Sequence, residues 1–502
     1  MKRFFTLLLA AVATMAASAT DYDEVITVTV NGESTEQTGV ISVVQNAEGT
    51  YDLTLRNFML SSDDGPMGVG NIELRGISAQ HDGATLLLAT TQTVTITPGD
   101  DPEVPFWMAT VLPPVPVDLR AKIEGGHLRC YIDIDLQQQL QQVIQVAVGQ
   151  GYQMLNAGFE DWHTTTGNYM EPNHWHSFES ASGSLAALAG HHIERTSAAR
   201  TGNYAARIYA TSLFGIVANG TMTTGRMNAG AMVAASTDNH AYIDADSKDT
   251  DANGDPFCMP LYSRPDSLAL WLRFVQDRAS ADHPYATVSA VITDGTRYQD
   301  PEDRDYQNVV ARAKNNTIAQ TNGEWVRVAV PFVYTSSTAQ PRAILVTVST
   351  NADAGQGSNG DEVVVDDICL IYNTRPTTIS VKGTAVPHFS PDVKHYELEV
   401  DGEVTADDIQ LTTDGRSVSV AKTLATADGG TLCTLTLYSG DMATTDQYTL
   451  LVKRGTSGIC SVGAAGSAEQ RYTLDGRPAG PMATRGIVVV RRADGTVRKL
   501  LR

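Results

Sequence analysis

The chain has 502 residues, with 57 acidic against 36 basic side chains and a formal net charge of −21. An acid excess of that size argues against nucleic acid or an anionic membrane as partner and describes a solvated, self-repelling exterior. The length makes room for about three or four domains of roughly 100–200 residues each.

Lys2 and Arg3 precede an apolar run over residues 4–13, and Ala17, Ser18 and Ala19 follow as a small-residue cleavage site. The pattern predicts a secretory signal peptide over residues 1–19. A membrane anchor is the poorer reading, because the run is too short to span a bilayer and no later segment approaches that length. The cysteines Cys130, Cys258, Cys369, Cys433 and Cys460 are odd in number and widely spaced. They make no disulfide framework despite the oxidising destination, although a Cys258–Cys369 bridge stays open. Cys130 alternates with Leu128, Ile132 and Ile134, as a small core residue does.

Residues 21–151 carry eight or more short period-2 segments separated by Gly, Asn and Asp turns. Tyr51, Leu53 and Leu55 face one way and Asp52, Thr54 and Arg56 the other; residues 128–136 alternate likewise. Serial strands without helical spacing predict an up-and-down barrel. The phrases GTYDLTLRNFML (49–60), VGNIELRGI (69–77) and LRCYIDIDL (128–136) resemble the calycin-like, or lipocalin-like, domains of secreted Bacteroidetes proteins. The resemblance implies a barrel able to hold an apolar ligand. A barrel filled by its own side chains is the alternative at this strand number.

Residues 152–373 open on NAGFEDW (156–162) and close on VVVDDICLIY (363–372). Between them come EPNHWHSF (171–178), GNYAARIYA (202–210), ANGTMTTGRM (218–227), PDSLALWLRFV (265–275) and GEWVRVAVPFVY (323–334). In this order they resemble the putative carbohydrate metabolism domain of Bacteroidetes surface proteins and, more distantly, jelly-roll carbohydrate-binding modules. The resemblance implies a β-jelly roll whose first and last strands are those two phrases, a glycan or polysaccharide ligand, and a structural Ca²⁺. Residues 374–454, with Tyr396, Leu398 and Val400 alternating, resemble the cadherin-like, immunoglobulin-type sandwiches that serve as spacers. After a small-residue linker (463–470), RYTLDGRPAG (471–480) and GIVVVRRADGTVRKLLR (486–502) resemble the C-terminal sorting domain of type IX secretion cargo. The plain alternative for this last segment, 455–502, is a β-hairpin with a basic edge.

Glu160 and Asp366 come from opposite ends of the expected jelly roll. In similar modules matching carboxylates hold the calcium beside backbone carbonyls, since hard oxygen donors suit that ion. Asp161 and Asp367 are the adjacent alternatives, and acids capping strand ends in solvent are the other reading. Asp249, Asp251, Asn253 and Asp255 have the spacing that opens an EF-hand-like loop, with Gly254 at the turn. Pro260 stands where the bidentate acid belongs and no helical period flanks the segment, which favours a solvated acidic loop. His174 and His176 fall on one side of an extended chain with Trp175 opposite; without a third ligand at a telling spacing they read as surface histidines beside a packed Trp.

Sugar recognition needs flat apolar faces and polar groups for hydroxyls. Trp271 and Arg273 oppose an aliphatic ladder on one predicted strand, and Trp325 and Arg327 do so on another, so the four are the candidate glycan-binding residues. Structural cation–π pairing of these Trp and Arg residues is the alternative. No phosphate loop, dinucleotide fingerprint, paired CxxC, HExxH or G-x-S-x-G motif is present. The sequence therefore reads as an all-β, secreted or cell-surface protein from the exterior of a Gram-negative bacterium, acting in glycan binding or adhesion. The rivals are a glycoside hydrolase or lyase with an unrecognised carboxylate pair, and a structural surface component.

Overall fold

Every long element is a strand; among the described residues the helical elements are four single 3-10 turns. The computed structural model describes residues 19–30, 33–60, 66–136, 141–213, 215–336, 338–455, 470–473, 487–491 and 496–501. Residues 1–18 of the expected signal peptide, most of the expected linker and the 474–477 turn lie outside them. Contacts divide the chain into two units, Met1–Lys453 and Arg454–Arg502.

The N-terminal strands build one antiparallel sheet, from Met67–Ile77 through Tyr51–Leu60, Glu33–Gln45 and Ala19–Val30. It continues through Gln142–Val148, His127–Leu136, Val115–Glu124 and Thr85–Val94 to Ala79–Asp82. Chain neighbours are sheet neighbours except Met67–Ile77 and Ala79–Asp82, which form the two edges, and the first strand pairs with the last at Val28 and Val146, as in the meander of an up-and-down barrel. Bridges at Asn71–Thr97 and Gly68–Trp107 draw one edge toward the segment following Thr85–Val94. Gly70, at φ 134°, permits that approach, because a Cβ there would lie 2.3 Å from the Thr97 carbonyl oxygen. The alternation is as expected: Leu53, Leu55, Leu128, Cys130, Ile132 and Ile134 all point into a buried aliphatic core. Burial there pushes the Cys130 thiol up to about 12.

In the middle of the chain two antiparallel sheets enclose a core reaching from Met154 to Tyr372. One orders Ile193–Thr196, Ala205–Tyr209, Glu362–Ile371, Ser267–Val275 and Val326–Pro331. The other orders Thr221–Thr223, Ala343–Ser349, Ala286–Thr293, Val309–Ile318 and Val333–Tyr334. The phrase at 363–372 is a strand, as expected, but NAGFEDW is a clamped loop that reaches strand only at Trp162–Thr164. Positive φ at Asn156 and Phe159 coils it, and the Asn156 amide donates to the Asp161 and Asn173 carbonyls. The two ends do meet, through a bond from the Ile368 N–H to the Ala157 carbonyl. Cys258 and Cys369 are both free, so the open disulfide is not formed.

A three-stranded and a four-stranded sheet follow, packed over Ile379, Val381, Leu435, Tyr448 and Leu450. This sandwich is not a free-standing spacer. Arg129 of the N-terminal sheet donates to the Asp441 carbonyl at 2.8 Å, Gln153 to the Asp441 carboxylate at 2.8 Å, and the Val420 N–H to Asp82 at 2.8 Å. In the C-terminal unit Ile487–Arg491 pairs with both Gln470–Thr473 and Val497–Leu501.

Candidate functional site

The strand Ser267–Val275 turns Leu268, Leu270, Leu272 and Phe274 into the core and leaves Trp271 and Arg273 on the outer face. Trp271 stands opposite Arg327 in register, and Trp325 ends the loop just before the same partner strand. The sequence thus places all four glycan candidates on one face. Each ring is half-buried and packs against one arginine. The Arg200 guanidinium lies 4.0 Å from the Trp271 ring and that of Arg273 4.7 Å from Trp325. Arg200 is fixed by Asp367 at 2.6 Å, and Arg273 donates to the Ala198 carbonyl. Each ring thus makes a cation–π pair with one arginine while remaining partly exposed.

Glu160 and Asp366 are brought to one turn, residues 200–204. The Glu160 carboxylate accepts the Asn203 and Tyr204 N–H groups, while Asp366 Oδ2 accepts those of Arg200 and Thr201 and Oδ1 that of Asp367. Oxygens aimed at N–H donors, beside a guanidinium, do not fit a shared Ca²⁺; the two acids act as clamps of the turn. Burial, then the Asp367 charge, raises the Asp366 carboxyl to about 7 against three lowering N–H bonds.

The acidic loop departs from its expected arrangement. Asp249 turns out to Arg226 at 3.2 Å. Asp255 accepts from the Asn253 amide and the His174 N–H, each at 3.0 Å, and lies 3.2 Å from His174 Nδ1. Asp251 points inward too, with its side chain fully buried and Oδ2 toward His176. The four oxygens therefore do not wrap one cation. The histidines are corrected as well: His174 has φ 67°, which breaks the extended chain, and His176 is fully buried instead of surface-exposed. Trp175 is the packed residue expected, its indole N–H donating to the Leu155 carbonyl at 3.0 Å.

A cavity of about 370 Å³ opens on the outer face of the second sheet. Alternation sends Val288, Ala290, Val346 and Val348 into the core and leaves hydroxyls outward. Register then aligns Thr221, Ser349 and Thr287 in one row, and Thr223, Thr347, Ser289 and Lys314 in the next. Thr287 donates to the Asn316 amide oxygen at 2.6 Å and Ser289 to Asp300 at 3.0 Å, which fixes this polar floor. The roof is apolar: Leu185 and Leu188, Ile216 and Val217 of a short hairpin, and Met232 of a flap. Asn239 shapes that flap by accepting the Gly230 and Ala231 N–H groups and donating to the Ala231 and Val233 carbonyls. Two lining residues each hold a buried side-chain atom without a partner, Asn219 Oδ1 and His240 Nε2. His240 Nδ1 faces the Thr237 carbonyl at 2.8 Å, so its proton sits there and Nε2 keeps a lone pair; burial lowers the ring's pKa and favours that neutral form.

None of these floor residues was singled out in the sequence. The signal was present as VTVS and TVSA, hydroxyls alternating with core aliphatics on two strands, but only register shows that they adjoin. Residues 19–148 match the family model of the calycin-like β-barrel domain. No curated protein matches the chain. Among the described residues no helix is long and apolar enough to cross a membrane.

Proposed function

We propose that the protein binds a saccharide of one or two rings in the cavity of its middle sandwich, a jelly roll of the putative carbohydrate metabolism type. The observation that carries this is the pairing of a hydroxyl and amide floor with an apolar roof. A sugar ring has the same division, with hydroxyls at its edge and C–H groups on its faces. The volume sits near the lower end of the roughly 300–1,000 Å³ typical of small-molecule sites. Glycoside hydrolysis asks for two carboxylates flanking the bond. The described lining holds one, Asp300, which suits binding better than hydrolysis.

The setting proposed for this activity is the exterior of a Gram-negative cell. The signal-like N-terminus, the immunoglobulin-like sandwich and the sorting-type C-terminal strands support it. The net charge of −21 suits a solvated surface protein. The N-terminal barrel is a second candidate for a small apolar ligand on the strength of its family match, with its inward positions occupied by aliphatic side chains.

A glycan array on the full chain, followed by calorimetric titration of the best saccharide, tests the reading. Ser289→Phe places a ring on the floor and is expected to cost at least about tenfold in affinity. A silent array with folded protein, or undiminished binding by that variant, overturns the proposal.

A further inference from the structure

Away from the cavity, four side chains from three separate segments converge in the interior of the middle sandwich. His163 and Glu171 are direct cross-strand partners in the hairpin formed by Trp162–Thr164 and Met170–Pro172, so both project from one face. His176 is held by a two-way backbone bridge with Thr223. Asp251 enters from the acidic loop, closed by its own N–H bond to the Asp255 carbonyl.

Each of three side chains is anchored through one polar atom and bare at the other. His163 Nδ1 lies 3.1 Å from the Asn173 amide oxygen, an acceptor, which puts the ring proton on Nδ1 and leaves the Nε2 lone pair free. Glu171 Oε1 accepts the Ser177 N–H and hydroxyl, both at 2.6 Å, while Oε2 has no partner. Asp251 Oδ1 accepts the Asn253 and Asp255 N–H groups, while Oδ2 accepts no well-formed hydrogen bond and faces two imidazole nitrogens. His176, fully buried with its ring against Phe257, has both nitrogens unpartnered. Five of the ten buried, unpartnered side-chain nitrogen and oxygen atoms among the described residues belong to these four side chains. Leaving so many polar atoms bare in one spot is costly unless something satisfies them together.

The spacing identifies what does. Ligand atoms of His163, Glu171 and Asp251 lie within 4.8 Å of one another. Asp251 Oδ2 is 3.4 Å from both His163 Nε2 and His176 Nε2. A tetrahedral ion about 2.0–2.1 Å from each donor sets neighbouring donors about 3.3 Å apart. Anchoring the far atom, as in His163, Glu171 and Asp251, is also how metal sites fix tautomer and orientation. We propose that His163 Nε2, Glu171 Oε2 and Asp251 Oδ2 bind one first-row divalent transition ion, Zn²⁺ by preference, and that His176 Nε2, 3.4 Å from Asp251 Oδ2 but outside that close set of three, moves in as the fourth donor. Two imidazoles among two carboxylates favour such an ion over Ca²⁺, which takes oxygen donors in larger number. Four protein donors at full burial make the site closed and structural: it staples the hairpin, the segment at His176 and the acidic loop together.

The test uses the full chain without a polyhistidine tag, stripped with a chelator, reloaded with Zn²⁺ and freed of excess metal by dialysis. Mass-spectrometric metal analysis is expected to find equimolar zinc, and a rise in Tm with Zn²⁺ that Ca²⁺ does not reproduce. His163→Ala and Asp251→Asn are expected to lose the zinc. If those variants do not fold, Co²⁺ reconstitution of the unaltered protein decides. Strong visible ligand-field bands of tetrahedral cobalt support the site, and weak octahedral bands or none overturn it. Folded protein that retains no zinc, variants that retain it undiminished, or stabilisation by Ca²⁺ alone also overturn it.

Discussion

His163 stands directly across the hairpin from Glu171, and the atoms these two residues leave bare point to the same buried spot. The arrangement depends on a supporting contact. The Ser177 hydroxyl donates to Glu171 Oε1 at 2.6 Å inside the protein. Ser177→Ala removes a buried hydrogen bond to a charged group and is expected to lower stability by about 1.5–3 kcal/mol. Denaturant titration measures this, and zinc affinity should fall in the same variant.

Trp175 anchors the loop that carries the cluster, fully buried with its ring 5.4 Å from Phe159. Trp175→Ala leaves a large cavity and an unpaired Leu155 carbonyl. A loss of about 3–5 kcal/mol is expected in urea unfolding. A loss under about 1 kcal/mol would mean the loop collapses around the gap.

Glu36 lies between the N-terminal sheet and the middle sandwich, accepting the Asn156 N–H at 2.8 Å. Burial, opposed by that bond and aided by the Asp161 and Asp255 charges, raises its carboxyl from 4.5 to about 7. The stability tied to the protonated form is therefore full below pH 4.5 and lost as pH rises through about 7. Glu36→Gln keeps an acceptor for Asn156 and removes the buried charge. Its Tm should exceed that of the unaltered chain above pH 7 and converge with it below 4.5. Parallel Tm profiles across that window would contradict the assignment.

Trp271→Ala separates the two faces of the middle sandwich. With its ring half-buried under Arg200, the tryptophan contributes packing and a cation–π contact. Saccharide affinity should be unchanged within about twofold, while the lost contact itself costs about 0.5–2 kcal/mol of stability, with lost packing in addition. Loss of binding in this variant, measured by calorimetry, would return the site to the Trp/Arg face.

The sequence by itself determined the strands and the faces they bury. A period of two is local, so Leu128, Cys130, Ile132 and Ile134 were assigned inward without knowing their partners, and the core contains them. The pairing of Trp271 with Arg-bearing neighbours was legible for the same reason; which arginine covers which ring was not, because Arg200 arrives from a loop. Only the tertiary structure decided both candidate sites. Lone histidines and acids carry no periodic signal, and a positive φ at His174 reversed the side assigned to His176. Register across distant strands set the hydroxyl rows of the cavity floor. Chain closure brought Asp251 to His163 and Glu171 from a loop far along the sequence. Local spacing fixes what a side chain faces, whereas convergence at one point depends on how separate segments cross.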